Sequence, residues 1–134
     1  MKLTIIADDF TGANDVGINL KKYGLNVVSV IKDISEGADV NIINSESRNM
    51  TPEIARQKFR SLFKNIYVNG FDKFYKKIDS TLRGNVKTEV DVLLEEKAKG
   101  SDRNIIPIVV GFPKMKRKII NGVHYLGEKR LCNT

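Results

Sequence analysis

Asp8 and Asp9 stand side by side directly after an apolar run, Leu3-Thr4-Ile5-Ile6-Ala7, with Gly12, Asn14 and Asp15 close behind. Two adjacent carboxylates at the end of a strand can accept hydrogen bonds from a polyol, ligate a metal or act as a general base. They would repel a phosphate, so this is not a bare anion nest. Either one can also simply cap the helix that follows. A second polar group, Asn44-Ser45-Glu46-Ser47-Arg48, follows another apolar run. There the Arg48 guanidinium either clamps a ligand carboxylate with two parallel hydrogen bonds or pairs with a neighbouring acid such as Glu46. The third group is Lys76-Lys77-Ile78-Asp79-Ser80-Thr81-Leu82-Arg83-Gly84-Asn85. Strand alternation places Lys76 on the face shared by Phe74 and Ile78, and Lys77 on the opposite face. A lysine beside core positions is either functional or a snorkelling edge residue.

These groups give a candidate site. Asp8 and Asp9 are the candidate base or hydroxyl acceptor, with no choice between them. Asp8, Arg48, Lys76, Lys77, Asp79, Ser80 and Arg83 are the candidate substrate contacts. No residue is assigned to a metal or a cofactor. His124 is the single histidine and Cys132 the single cysteine, so a Cys–His metal cluster and an internal disulfide framework are excluded. Neither Gly-x-x-x-x-Gly-Lys-Ser/Thr nor Gly-x-Gly-x-x-Gly occurs, so no nucleotide-cradling loop is legible. His124 sits among Val123, Tyr125 and Leu126 with no nucleophile nearby and reads as structural.

The elements that must position these groups alternate. Leu3–Ala7 reads as a buried strand. A helix follows, capped by Thr11 or Asn14 with Asp15 in its first turn, running to about Tyr23 and stopping at Gly24. Val27–Ile31 and Val40–Ile43 are β-branched strand runs. Pro52 opens a helix whose stripe is Ala55, Phe59, Leu62, Phe63 and Ile66. Phe74–Ile78 is the fourth strand. Val86, Val90, Leu93, Leu94 and Lys97 repeat the helical spacing before Gly100. Ile105–Val110 is expected as a fifth strand, and Ile119–Leu131 as a short hairpin turning near Gly127. Lys32–Asp39 is the weakest stretch and reads as a loop. The pattern predicts an α/β fold: a mostly parallel, doubly wound sheet of about five strands with helices on both faces. In such sheets ligands bind beyond the carboxyl ends of the strands.

With 134 residues, the chain fits one domain, spanning 1–134. It is 41% hydrophobic and 29% charged, a globular composition. No run approaches the roughly 20 apolar residues of a membrane span, and the acids at 8 and 9 come too early for a signal peptide. A cytoplasmic protein is expected. The net charge of +7 is clustered. Eight basic residues and two acids fall between Arg56 and Arg83, and six basic residues and one acid between Lys114 and Arg130. Such patches attract anions, or are merely a solvated surface. Nucleic acid has no support beyond charge, since no helix-turn-helix, zinc-finger or aromatic-rich strand is present.

The polar groups taken together resemble the N-terminal, substrate-binding domain of the four-carbon acid sugar kinases. The resemblance runs through Ile6-Ala7-Asp8-Asp9-Phe10-Thr11-Gly12-Ala13-Asn14-Asp15, then Asn44–Arg48, then Lys76–Val86 with Glu89, then Gly111-Phe112-Pro113 to Arg117, and Gly122-Val123-His124-Tyr125. Lys116 stands where the family pattern usually has Gly, and Gly111 where it usually has Ala. The resemblance implies phosphorylation of the terminal hydroxyl of a sugar acid such as threonate or erythronate, with ATP and magnesium. It places the nucleotide on a second, C-terminal domain. On that basis the chain is expected to be a truncated or free-standing substrate-binding half, inactive alone and without a cofactor of its own. Its expected partners are a small sugar acid and a separate chain carrying the nucleotide domain, with no membrane. A non-catalytic or vestigial acid-sugar-binding module, and a basic α/β nucleic-acid-binding domain, are the alternatives.

Overall fold

The structure is a computed structural model that describes residues 2–30, 34–69, 73–97 and 105–133. Its first strand, β1 (Leu3–Ala7), lies at the centre of a four-stranded parallel sheet. The others are β2 (Val27–Val30), β3 (Val40–Asn44) and β4 (Lys73–Lys77), in the spatial order β2-β3-β1-β4. The register aligns Ala7 with both Asn44 and Lys77, so three strands end in one row. The polar groups after those strands therefore emerge side by side.

Alternation along β1 divides the core in two. Ile5 and Ala7 face helix α1 (Phe10–Lys21), packing with Ala13, Val40 and Ile42. Ile6 faces the other way and joins Ile43, Phe59, Phe63, Ile66, Val92 and Leu93. These last come from β3, α2 (Pro52–Asn69) and α3 (Val86–Lys97). Helices thus cover both faces of a parallel sheet, the expected α/β class. The α2 stripe buries as its spacing requires, with Phe63 edge-on to Phe74 of β4 at 5.3 Å.

Four local expectations are corrected. Helix α1 is capped by Asp9, not Thr11 or Asn14, and begins at Phe10, which puts Asp15 beyond its first turn. Helix α3 turns a different face inward: Glu89, Val92 and Leu93 are buried, whereas Leu94 is exposed. Ile105–Val110 forms no strand. Pro107 has no N–H to give a ladder, and Ile105 and Val109 lie more than four-fifths exposed. The sheet therefore has four strands rather than five. Finally, the C-terminal segment is a three-stranded antiparallel meander, β5 (Arg117–Ile120), β6 (Val123–Leu126) and β7 (Lys129–Arg130), with two turns rather than one. The first turn is Asn121-Gly122, both at positive φ, a favoured two-residue hairpin pair. Ile31, the last residue of the expected second strand, lies outside the described set, as do residues 32 and 33 of Lys32–Asp39; the rest of that stretch is loop, tied down where Asn41 Oδ1 accepts from the Ser35 amide at 2.8 Å. Lys97's side chain and Gly100, which closed the expected α3 stripe, also lie outside it.

Candidate functional site

Asp8 continues directly from the central strand and is 2% exposed. Burying a carboxylate requires partners, and Arg48 supplies them. Its Nε donates to Asp8 Oδ2 at 2.9 Å and its Nη2 to Asp8 Oδ1 at 3.0 Å. Its Nη1 donates to Asp9 Oδ2. The other Asp9 oxygen accepts from the Gly12 amide at 2.8 Å, closing the helix cap. A Cβ at residue 12 would stand 2.6 Å from that oxygen, so the cap leaves no room for a side chain there. The two acids thus face one cation across adjacent strand ends. Burial disfavours the Arg48 charge, but the hydrogen bond to Asp8 outweighs it and raises the guanidinium pKa, with Asp9 and Asp79 adding to the effect.

Asp79 borders the same group, 4.0 Å from Arg48 Nη2. It accepts from Arg83 Nε at 3.1 Å and Nη2 at 2.8 Å, and from the Thr81 amide at 3.0 Å and the Thr81 hydroxyl. Arg83 foremost, with Thr81, holds this carboxyl well below the usual carboxylate range against the opposing effect of burial. Arg83 itself is 68% exposed, so its guanidinium faces solvent at the rim. Ser80 lies half-buried in the turn between Asp79 and Thr81. Three residues around these turns hold left-handed backbone: Glu46, Leu82 and Gly84. Such strain in non-glycine residues persists only where the surroundings over-determine it, and it clusters at functional sites.

The two lysines separate as alternation predicts, onto opposite faces of β4. Lys76 is buried on the α2–α3 face, its Nζ 3.1 Å from Glu89 Oε2 and 3.0 Å from the Lys77 carbonyl oxygen, to which it donates. It also stands 5.6 Å from the centre of the Phe59 ring. Burial lowers its pKa, and Glu89 and Asp8 oppose that shift. Lys77 lies on the α1 face beside Gly12 and donates to the Ile78 carbonyl at 2.8 Å. The cluster thus brings Asp8, Asp9, Arg48, Asp79 and Arg83 into direct contact. Lys77 and Ser80 border it, and Lys76 stands behind it. Arg48 does not present an open fork, because its donors engage Asp8 and Asp9.

Composition and spacing did not mark Glu89 as a site residue. It is 1% exposed on α3, and Ser47 Oγ donates to its Oε1. A glutamate in an amphipathic helix ordinarily reads as solvated; the family pattern was the one sign of it. A cavity of about 730 Å³ opens elsewhere, between β4, α3 and residues 105–111. Phe74, Val90, Leu93 and Ile106 are among its walls, and it holds none of the carboxylates. Among the described residues, no three His, Cys, Asp or Glu side chains come together to hold a metal ion. The site's carboxylates are already engaged by arginines, so the donor set does not fit magnesium. Among the described residues, no helix is long and apolar enough to cross a membrane.

Residues 3–134 match the family model of a sugar-binding N-terminal domain. The chain belongs to that family. It is 36% identical to a D-threonate kinase of Salmonella typhimurium over 126 residues, covering 91% of this chain and 29% of that protein. It is 34% identical to a D-erythronate kinase of Heliobacterium modesticaldum, covering 90% of this chain and 28% of that protein. A 3-oxo-tetronate kinase of Actinobacillus succinogenes is 32% identical, with 100% of this chain and 33% of that protein covered. The chain therefore spans about a third of the length of these relatives. A solved structure from Bordetella bronchiseptica, described with bound citrate as a domain-swapped dimer, superposes with a TM-score of 0.83 at 27% identity, covering 100% of this chain and 35% of that one. A Haemophilus influenzae structure gives 0.80 at 29% identity, covering 98% and 33%.

Proposed function

We propose that this chain is the sugar-acid-binding part of a four-carbon acid sugar kinase, holding a threonate- or erythronate-type acid at the carboxyl ends of β1, β3 and β4. The observation that carries this reading is the Arg48 guanidinium bridging Asp8 and Asp9 at adjacent strand ends. Fixed in this way, with Asp8 anchoring the guanidinium, the neighbouring Asp9 is a rigid acceptor for a sugar hydroxyl, and rigid pre-placed groups lose little on binding. Asp9 is the hydroxyl acceptor of the two, since its side chain is 24% exposed against 2% for Asp8. The acid group of the ligand goes to the rim rather than to Arg48, to Lys77 and to the solvent side of the Arg83 guanidinium, whose Nε and Nη2 stay on Asp79. Arg48 acts by holding the acceptor in place.

Phosphoryl transfer depends mainly on positioning and charge neutralisation around the nucleotide. ATP and magnesium belong, in this reading, to a part of the enzyme with no counterpart in these 134 residues, on the same or a separate cytoplasmic chain. Alone, the chain binds the acid and does not phosphorylate it.

Calorimetric titration with D-threonate, D-erythronate and 3-oxo-tetronate tests the binding half of this reading. At least one acid is expected to bind, and Arg48→Ala is expected to weaken it by about tenfold or more, the loss of roughly one charged hydrogen bond. No heat with any of the three from the folded protein would sink the proposal. An assay with ATP, magnesium and the bound acid is expected to give no product; robust turnover would mean that this chain holds a nucleotide site after all.

A further inference from the structure

Arg48 orients both acids, and its own position depends on a turn held from α3. Ser47, immediately before it, is fully buried. The Ser47 hydroxyl donates to Glu89 Oε1 and lies 2.9 Å from Ser45 Oγ. Ser45 in turn donates through its own hydroxyl to the Ala7 carbonyl at 2.8 Å, one residue before Asp8. The Ser47 carbonyl accepts from Asn85 Nδ2 at 2.7 Å, and the same amide reaches the Met50 carbonyl at 2.9 Å. Gly84, at φ +91, packs against the turn, where a Cβ would stand 3.2 Å from Arg48 Cα. The Arg48 amide donates to the Asp8 carbonyl at 3.2 Å. The turn is therefore gripped on one side by Glu89 of α3 and the two residues that precede that helix, and on the other by the end of β1.

We infer that the Ser47–Glu89 hydrogen bond is a positioning brace, transmitted from α3 through the Ser47–Arg48 turn, that locks the Arg48 guanidinium onto Asp8 and Asp9. Its consequence for ligand affinity rests on the functional reading above; the brace itself does not. Two features support a positioning role. Glu89 is a buried carboxylate whose other oxygen faces the buried Lys76 ammonium at 3.1 Å, so its charge is balanced inside the fold and Oε1 is left to hold Ser47. Neither Glu89 nor Ser47 has the exposure needed to touch a ligand. They can influence binding only through the groups they hold, of which the Ser47–Arg48 turn reaches both site acids.

The readout is the exchange of the Arg48 Nε–Hε proton, followed by nitrogen-15 NMR and assigned by its disappearance in Arg48→Lys. In the parent chain this signal is expected to be dispersed and slow to exchange. Ser47→Ala is expected to speed its exchange by about tenfold, the scale of one lost hydrogen bond to a charged group, while amide dispersion shows the fold intact. Glu89→Gln keeps an acceptor for Ser47 and is expected to stay within about threefold of the parent, again by that scale. Unchanged exchange in Ser47→Ala overturns the brace, as does a folded Glu89→Gln as loose as Ser47→Ala. Sugar-acid affinity measured on the same samples separates the two ideas. Faster exchange with no sugar-acid binding in the parent chain leaves the brace standing and removes the functional reading.

Discussion

Asp79 accepts five hydrogen bonds from Arg83 and Thr81, and the sign of its pH effect follows directly. Its folded pKa is depressed, led by the Arg83 hydrogen bonds. The stability it contributes is therefore present above the ordinary carboxylate value of ~3.9 and is lost as pH falls through the folded value. A carboxyl carbon-13 titration is expected to find Asp79 still ionised where exposed aspartates are half protonated. Arg83→Gln is expected to move its midpoint up towards the ordinary range; an unmoved midpoint would show that Arg83 is not the main cause. The acids were legible because two carboxylates and an Asp-x-Thr-x-Arg turn at strand ends are costly unless something uses them. The face of Lys76 was legible from alternation alone. What was not legible is which partner each group takes. Pairing of Arg48 with a nearby acid is one of its two readings, but its partners are Asp8 and Asp9 rather than Glu46, and the residue that engages Lys76 is 13 positions away on a helix.

Whole strands were easier to read than their edges. Runs such as Val40–Ile43 are apolar because parallel strands covered on both faces have no solvent side, and β1, β2 and β3 lie where such runs occur, whereas β4 holds three lysines. The fifth run had the same β-branched composition, but composition does not register a missing N–H at Pro107. The α3 stripe failed for a related reason: Leu93 belongs to both possible faces, and the choice between Leu94 and Glu89 depends on Lys76 in β4 and Ser47 in the turn after β3. Lys116 is a third case. It closes the short 3₁₀ turn Pro113–Met115 at φ 55, in the left-handed region that costs an L side chain roughly 1–2 kcal/mol. This is the position where the family pattern usually has Gly. Lys116→Gly is expected to stabilise the chain by about 0.5–1 kcal/mol, the backbone strain relieved less the entropy of a freer unfolded chain. Urea unfolding would measure this, and a destabilised variant would show that the Lys116 side chain holds the turn in some other way.

At the scale of the whole molecule, the net charge of +7 overstates the cation available to an outside anion. Within the first basic cluster, Arg56 and Arg60 both pair with Glu95, Lys76 is buried on Glu89, and Arg83 is forked onto Asp79. Half of that cluster's eight residues are thus drawn into internal pairs. The arginines on α2 sit against the acids of α3, where they join two helices rather than form a stripe for a phosphate backbone. Phosphate binding scales with the number of counterions released, so a surface whose arginines already have partners has little to offer. Fluorescence anisotropy with a labelled 20-base duplex is expected to give binding no tighter than the non-specific range of about 10⁻⁶–10⁻⁴ M at physiological salt. That binding should fall away as salt is raised, because only exposed charges such as those of the C-terminal meander would contribute. An affinity of ~10⁻⁸ M or better that survives competition by unrelated duplex would place the chain among specific nucleic-acid binders. It would also make the buried carboxylate cluster at the strand ends a structural feature rather than a sugar-acid site.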